Sequence, residues 1–248
     1  MDNSEQRAVF FDCWDTVISF REKIRTWNTE PLKKHCRNRD RIDFSKVEAF
    51  SDAFFEAYFK SGSPYEITAC QFLNLIVQNF DLELDCALTD CVHEILFYLL
   101  PEPMEGLQDF LDLLEGNGIP YAILSNTIYD EDDTAEIVHK LLPKANFRFL
   151  LGSSSIGVKK PNPLFFKTGM KRMGVLPENS LYIGDSFMAD VVGANRAEMN
   201  GAIWLNWRRR EKEQFRSYAE SEYDSLRMTE CHSYREVIER FASGELFR

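Results

Sequence analysis

The chain has 248 residues, 44% of them hydrophobic, and a formal charge of -11 at pH 7. That length can bury a large core, as one big domain or as a main domain with a smaller insert. The negative field repels phosphates and anionic lipid, so nucleic-acid and membrane-surface binding are not expected, and any phosphate site must be a local device.

The first element in chain order is "RAVFF", an apolar run too continuous for a half-exposed strand and suited to the middle of a covered sheet. It ends at Asp12, with Asp15 following three residues later and Trp14 between them. No basic n-region precedes a long apolar run and no eighteen-residue apolar stretch occurs, so a cytoplasmic protein without a membrane span is expected.

From about Arg21 to Leu100 the pattern is helical. In "DFSKVEAFSDAFFEAYFKSG", Val47, Phe50, Phe54 and Tyr58 recur at three- and four-residue steps, with Gly62 and Pro64 closing the segment. "ITACQFLNLIVQNF" puts Phe72, Leu75 and Ile76 on one face. "ALTDCVHEILFYLL" does the same with Val92, Ile95, Leu96 and Leu99. The dense aromatics here (Phe50, Phe54, Phe55, Tyr58, Phe59, Phe72, Phe80) read mainly as core, with a minority available for a pocket mouth or a homodimer face.

After Pro101 and Pro103 the rhythm becomes strand and helix alternation. A helix follows Met104, strand "IPYAILSNT" follows that, then a helix near Glu131 to Leu142, and strand "FRFLLGS". Next come a helix from about Pro163 to Met173, strand "SLYIGDS", a helix around Met188 to Glu198, strand "AIWLNW" and a final helix "YREVIERF". Such alternation predicts an α/β fold with a mostly parallel sheet covered by helices on both sides. The expected division is a core of residues 1–20 and 101–248 with an all-helical insert, 21–100, after the first strand. Hinges are expected near Arg21 and Pro101.

In an open parallel sheet, ligands lie beyond the carboxyl ends of the strands. Those ends deliver Asp12; Ser125 and Asn126; Lys159 and Lys160 in "IGVKKP"; and Asp185 and Ser186. Asp12 and Asp185 on neighbouring strands would repel unless a hard cation such as Mg²⁺ bridged them, and that cation can also hold a phosphoryl oxygen. A lysine would neutralise charge on a transferring group, and a serine hydroxyl would hold remaining oxygens. On this reading Asp12 is either a ligand only or a ligand and nucleophile. The mixed-sign run "RRREKEQ" from Arg208, and Lys159, read as solvated. The six cysteines read as free thiols, and His35, His93, His139 and His232 as surface or packed residues.

"AVFFDCWDTV", "AILSNT", "GVKKPNPLFF" and "SLYIGDSFMADVVGANRAEMNGAIWLNW" resemble, in order and spacing, the four motifs of the haloacid-dehalogenase-like (HAD) hydrolase superfamily. The resemblance implies a Rossmann-like HAD core with a helical cap, and a Mg²⁺-dependent hydrolase acting on a small phosphorylated metabolite through an aspartyl-phosphate. It implies Asp12 as nucleophile, Lys160 as charge stabiliser, and Thr16, Ser125, Asn126 and Lys160 as substrate-binding positions. Asp12, the Trp14 carbonyl, Asp185 and Asp190 stand as metal positions, Asp190 supporting either the metal or Lys160.

Family phosphatases usually place an acid/base aspartate two residues after the nucleophile, where this chain has Trp14. Three readings stand. Asp15 takes over through an altered loop; or no protein acid is used and the substrate has a leaving group that needs little protonation, or supplies its own; or Asp15 braces the loop, Trp14 packs under the cap, and catalysis is weak or absent. The last leaves a phosphate-binding or partner-binding protein as the alternative function. An aromatic residue at this position also resembles the dehalogenase branch, against which "GDSFMAD" argues by keeping the acids of metal-dependent members.

Overall fold

The computed structural model describes residues 6–20, 28–98, 101–212, 214–215 and 223–246. Six parallel strands form the main sheet: β1 (Ala8–Phe11), β4 (Tyr121–Ser125), β5 (Leu150–Gly152), β6 (Ser180–Gly184), β7 (Gly201–Leu205) and β8 (Met228–Cys231), in the order β5-β4-β1-β6-β7-β8. β1 pairs β4 on one side and β6 on the other, with Phe11 opposite both Ile123 and Ile183. Successive strands therefore build outward from β1 in two directions. The crevice at that reversal, above the carboxyl end of β1, is where an open α/β sheet places its ligand.

The period-2 alternation of strand side chains divides the core. Val9, Phe11, Tyr121 and Ile123 pack into one buried layer, while Ala8, Phe10, Ala122 and Leu124 pack into the other. Helices α5 (Leu107–Gly116), α6 (Glu131–Leu141) and α10 (Tyr234–Ala242) contribute Phe110, Ile137 and Val237 to the first layer. A single turn, α7 (Ser153–Ile156), follows β5 directly. Helix α8 (Pro163–Met173) and the π-helical turn Phe187–Val192, continued by α9 (Gly193–Arg196), contribute Phe165, Phe166 and Val191 to the second layer. The α/β architecture with a parallel sheet agrees with the sequence reading.

Between the two flanks of a short antiparallel ribbon, β2 (Ile18–Ser19) and β3 (Glu102–Pro103), the described chain holds α1 (Glu30–His35), α2 (Phe44–Lys60), α3 (Ala69–Asn79) and α4 (Leu88–Tyr98), and no named strand. Phe72 and Ile76 are buried as expected, but Leu73 takes the place assigned to Leu75, which is 42% exposed. Helix α3 starts at a capping box, Thr68 Oγ1 accepting from the Gln71 amide while Gln71 accepts from that of Thr68. Leu99, the side chain of Phe59 and the hinge expected at Arg21 lie outside the described residues. All six cysteines are free. Among the described residues no helix is long and apolar enough to cross a membrane.

Candidate active site

Asp12 leaves β1 with its amide donating to the Ile183 carbonyl at 2.8 Å, so its carboxylate emerges at the head of the β1–β6 seam. Lys160, 3% exposed, comes in from the loop before α8. Its ammonium donates to Asp12 Oδ1 at 2.7 Å, Asp190 Oδ1 at 2.7 Å and the Tyr182 hydroxyl at 2.8 Å, which uses all three of its N–H groups. The Tyr182 hydroxyl in turn donates a hydrogen bond to the Leu124 carbonyl at 2.8 Å, tying the lysine to β4 and β6 together.

Asp190 is fully buried and both its oxygens are engaged, Oδ1 by Lys160 and Oδ2 by the Ser186 amide at 2.8 Å. Gly184 makes room for it, because a Cβ there would sit 2.2 Å from Asp190 Oδ2. Of the two roles expected for Asp190, the geometry favours holding Lys160. Asn126, expected to bind substrate, brackets the Lys160 backbone: its Oδ1 accepts from the Lys160 amide at 2.8 Å and its Nδ2 donates to the Lys160 carbonyl at 3.1 Å. Ser125 is buried, with one long contact of 3.4 Å from its hydroxyl to the Asn126 carbonyl. Thr16 is buried with its hydroxyl unpartnered.

Burial pushes the Asp12 carboxyl up to about 7, against the pull of Lys160 and with the push of Asp190. Burial likewise raises Asp185 to about 8, reinforced by Asp190 and Asp12 and opposed by Arg210. Burial lowers the Lys160 ammonium, yet Asp12 and Asp190 outweigh it and the net shift is upward. Carboxylate oxygens of Asp12, Asp185 and Asp190 lie within 4.8 Å of one another. Another cluster, His35 with Asp85 and Cys86, has both imidazole nitrogens taken, by Asp85 at 2.8 Å and Glu94 at 2.9 Å.

Arg209, Glu211 and Gln214 of the run from Arg208 are exposed, as a solvated face would be, but Arg208 and Arg210 reach into the site. Arg208 Nη1 and Arg210 Nη2 both donate to Asp185 Oδ2 at 3.0 Å. Arg208 Nη2 also pairs with Asp15 Oδ2 at 2.6 Å. Asn206, at the end of β7, holds Arg210 by its amide and carbonyl, and Trp207 stacks under Arg208 while donating to the Asp15 carbonyl. These arginines follow a strand end just as Asp12 and Asp185 do, and the rule that found the acids would have found them. Asp15 is thus braced, its other oxygen accepting from Ser19 at 2.8 Å and its backbone left-handed at φ 60°. That geometry does not favour Asp15 as the shifted acid.

Beside Lys160 opens a cavity of 630 Å³ between the sheet's carboxyl edge and the helical segment. Trp14 and Phe20, stacked at 5.6 Å and 15°, form one wall, and Phe55, Tyr58 and Tyr129 line it as well. Trp14 therefore faces the cavity as well as packing. Lys159 is half-buried over the Tyr58 ring at 3.9 Å, a cavity residue where a solvated one was expected.

Residues 6–198 match the family model described as haloacid dehalogenase-like hydrolase. The chain belongs to the haloacid dehalogenase-like hydrolases. Within that family, glyceraldehyde 3-phosphate phosphatase of Pyrococcus furiosus is 25% identical over 243 residues, 94% of this chain and 93% of that protein. Phosphoglycolate phosphatase of Xylella fastidiosa is 30% identical over 114 residues, 46% of this chain and 48% of its own length. Matches to several other curated relatives are also short, spanning 23% to 49% of those proteins. The solved HAD phosphatase from Thermococcus onnurineus has the same fold, with a TM-score of 0.60 at 20% identity, covering 98% of this chain and 100% of that one.

Proposed function

We propose that this HAD hydrolase cleaves small phosphate monoesters, with Asp12 attacking phosphorus to form an aspartyl-phosphate that water then opens. The observation that carries the reading is Lys160, a buried ammonium bonded at once to Asp12 and Asp190 beside a substrate-sized cavity. Lysine there holds the Asp12 carboxylate in place and offsets charge on the phosphoryl oxygens. Ser125 and Thr16, whose hydroxyls are little committed, are the candidates for holding those oxygens. The relatives named as phosphatases of glyceraldehyde 3-phosphate and phosphoglycolate support a small phosphorylated substrate.

The donor set fits Mg²⁺: clustered carboxylate oxygens, no nitrogen or sulfur among them, and backbone oxygen available from the Trp14 loop. Asp12, Asp185 and the Trp14 carbonyl would hold the ion. Bound there, it supplies positive charge at the phosphoryl group. The helical segment over the cavity acts as the cap that excludes water. Among the described residues lining the cavity, Glu66 is the sole carboxylate, and Tyr58 and Ser153 occupy it. On this reading no carboxylate of the cavity protonates the leaving group.

Phosphate release from an activated ester, measured with Mg²⁺ and with chelator, tests the reading. Turnover should vanish with chelator and fall at least 10³-fold in Asp12→Asn, since an amide is no comparable nucleophile. Phosphate binding without turnover of any donor would favour the binding-protein alternative.

A further inference from the structure

Resting on the phosphomonoester reading, we propose that the substrates are aryl phosphates, the aromatic ring lying in the cavity against the Trp14–Phe20 stack. Three observations converge. The cavity is walled by rings on several sides, and Lys160, which bonds Asp12, lines it as well. Its 630 Å³ leaves room for a ring beside the phosphate. The residue that would protonate a leaving oxygen is replaced by one of the wall's own rings, Trp14, and Asp15 next to it is held away by Arg208 and Ser19.

The last point links shape to chemistry. Asp12 oxygen forms a bond to phosphorus as the phosphorus–aryl oxygen bond breaks, and the electron pair departs on the phenolate, which later takes a proton from solvent. Water then attacks the aspartyl-phosphate, releasing phosphate and restoring the carboxylate. A phenol has a pKa of about 10, as tyrosine does, against 15.7 for water and roughly similar values for simple alkanols. General-acid help is typically worth about 10² to 10⁴ in rate, and a phenolate departs without it far more readily than a simple alkoxide. Flat rings also stack on the wall, adding offset or edge contacts that an alkyl chain lacks.

Binding separates this inference from turnover. Full-length protein with Mg²⁺ is titrated with phenylphosphonate, methylphosphonate and inorganic phosphate, followed by calorimetry and tryptophan fluorescence. Phenylphosphonate should bind at least tenfold tighter than methylphosphonate, and the ratio should fall at least threefold in Phe20→Ala and in Tyr58→Leu. Equal affinities, or a ratio that neither folded variant changes, overturn the aryl assignment. Hydrolysis of methyl or glycerol phosphate as fast as phenyl phosphate also overturns it while leaving the phosphatase reading intact. Aryl-selective binding with no turnover of any ester does the reverse.

Discussion

Asp185 carries two guanidinium groups on one oxygen, and its neighbours Asp12, Asp190 and Asp15 add negative charge around it. With Lys160 the cluster counts four carboxylates against three cations. Arg208 and Arg210 therefore do part of what a divalent ion would do. Both are about a third exposed, which weakens their pull by solvent screening. Removing them should leave Asp185 open to the ion: Arg208→Gln with Arg210→Gln is expected to tighten Mg²⁺ binding at least tenfold by calorimetric titration. Weaker binding would show that the arginines orient Asp185 for the metal instead of competing with it. Asp12, Lys160 and Asp185 were legible because each follows an apolar strand whose end is a ligand position. The arginines follow β7 in the same way, but their mixed-sign neighbours Glu211 and Lys212 made the run look like ordinary surface. Asn126 was legible as a site residue and not as a clasp on the Lys160 backbone, because side-chain direction is fixed by packing that sequence spacing does not encode.

At the scale of elements, the stretch from Pro64 to Ala69 binds the helical segment to the core. The Lys159 amide donates to the Pro64 carbonyl at 2.9 Å, the Glu66 amide to the Gly157 carbonyl at 3.0 Å, and the Ala69 amide to the Ile128 carbonyl at 2.7 Å. Ser153 Oγ donates to Glu66 Oε2 at 2.6 Å, and Tyr58 donates to the same carboxylate. On the cap reading proposed above, this stretch is the latch whose opening admits substrate. A hydrogen bond to a charged group is worth about 1.5–3 kcal/mol. Glu66→Gln should therefore speed hydrogen exchange of the amides at positions 66 and 159 by about tenfold, with exchange in β1 and β6 unchanged; equal rates in both proteins would remove the latch. Strands β1, β4, β6 and β7 were readable from sequence because sheets covered on both faces need continuous apolar runs. β8 was not, since Met228, Thr229 and Glu230 at the sheet edge are only half-buried and give no such run. β2 and β3, two residues each, exist through their pairing, not through any local signal. The helix expected at Met188 begins as a π-helical turn, which places Asp190 under Ser186.

For the molecule as a whole, the site sets how stability depends on pH. Asp12 and Asp185 have native values of about 7 and 8 against an ordinary 3.8, so between those limits the native state holds protons the unfolded chain has released. Stability then falls as pH rises, because raising the pH favours unfolding wherever the native state binds more protons than the unfolded chain. Each fully affected group contributes about 1.4 kcal/mol per pH unit at most. Exposed carboxylates with lowered values, such as Asp43 and Glu136, act in the opposite direction but only near their own range, below about pH 5. His35, raised by Glu94 and Asp85, also loses stabilisation as pH rises through its native value, and so adds to the decline. A divalent ion tells the two sources apart: it holds Asp12 and Asp185 ionised and cancels their proton uptake, while leaving His35 untouched. The melting temperature in chelator should therefore drop between pH 6 and 8.5, and saturating Mg²⁺ should flatten most of that drop. The residual slope should disappear in His35→Gln. Identical pH profiles with and without Mg²⁺ would mean that the ion does not sit on these two carboxylates.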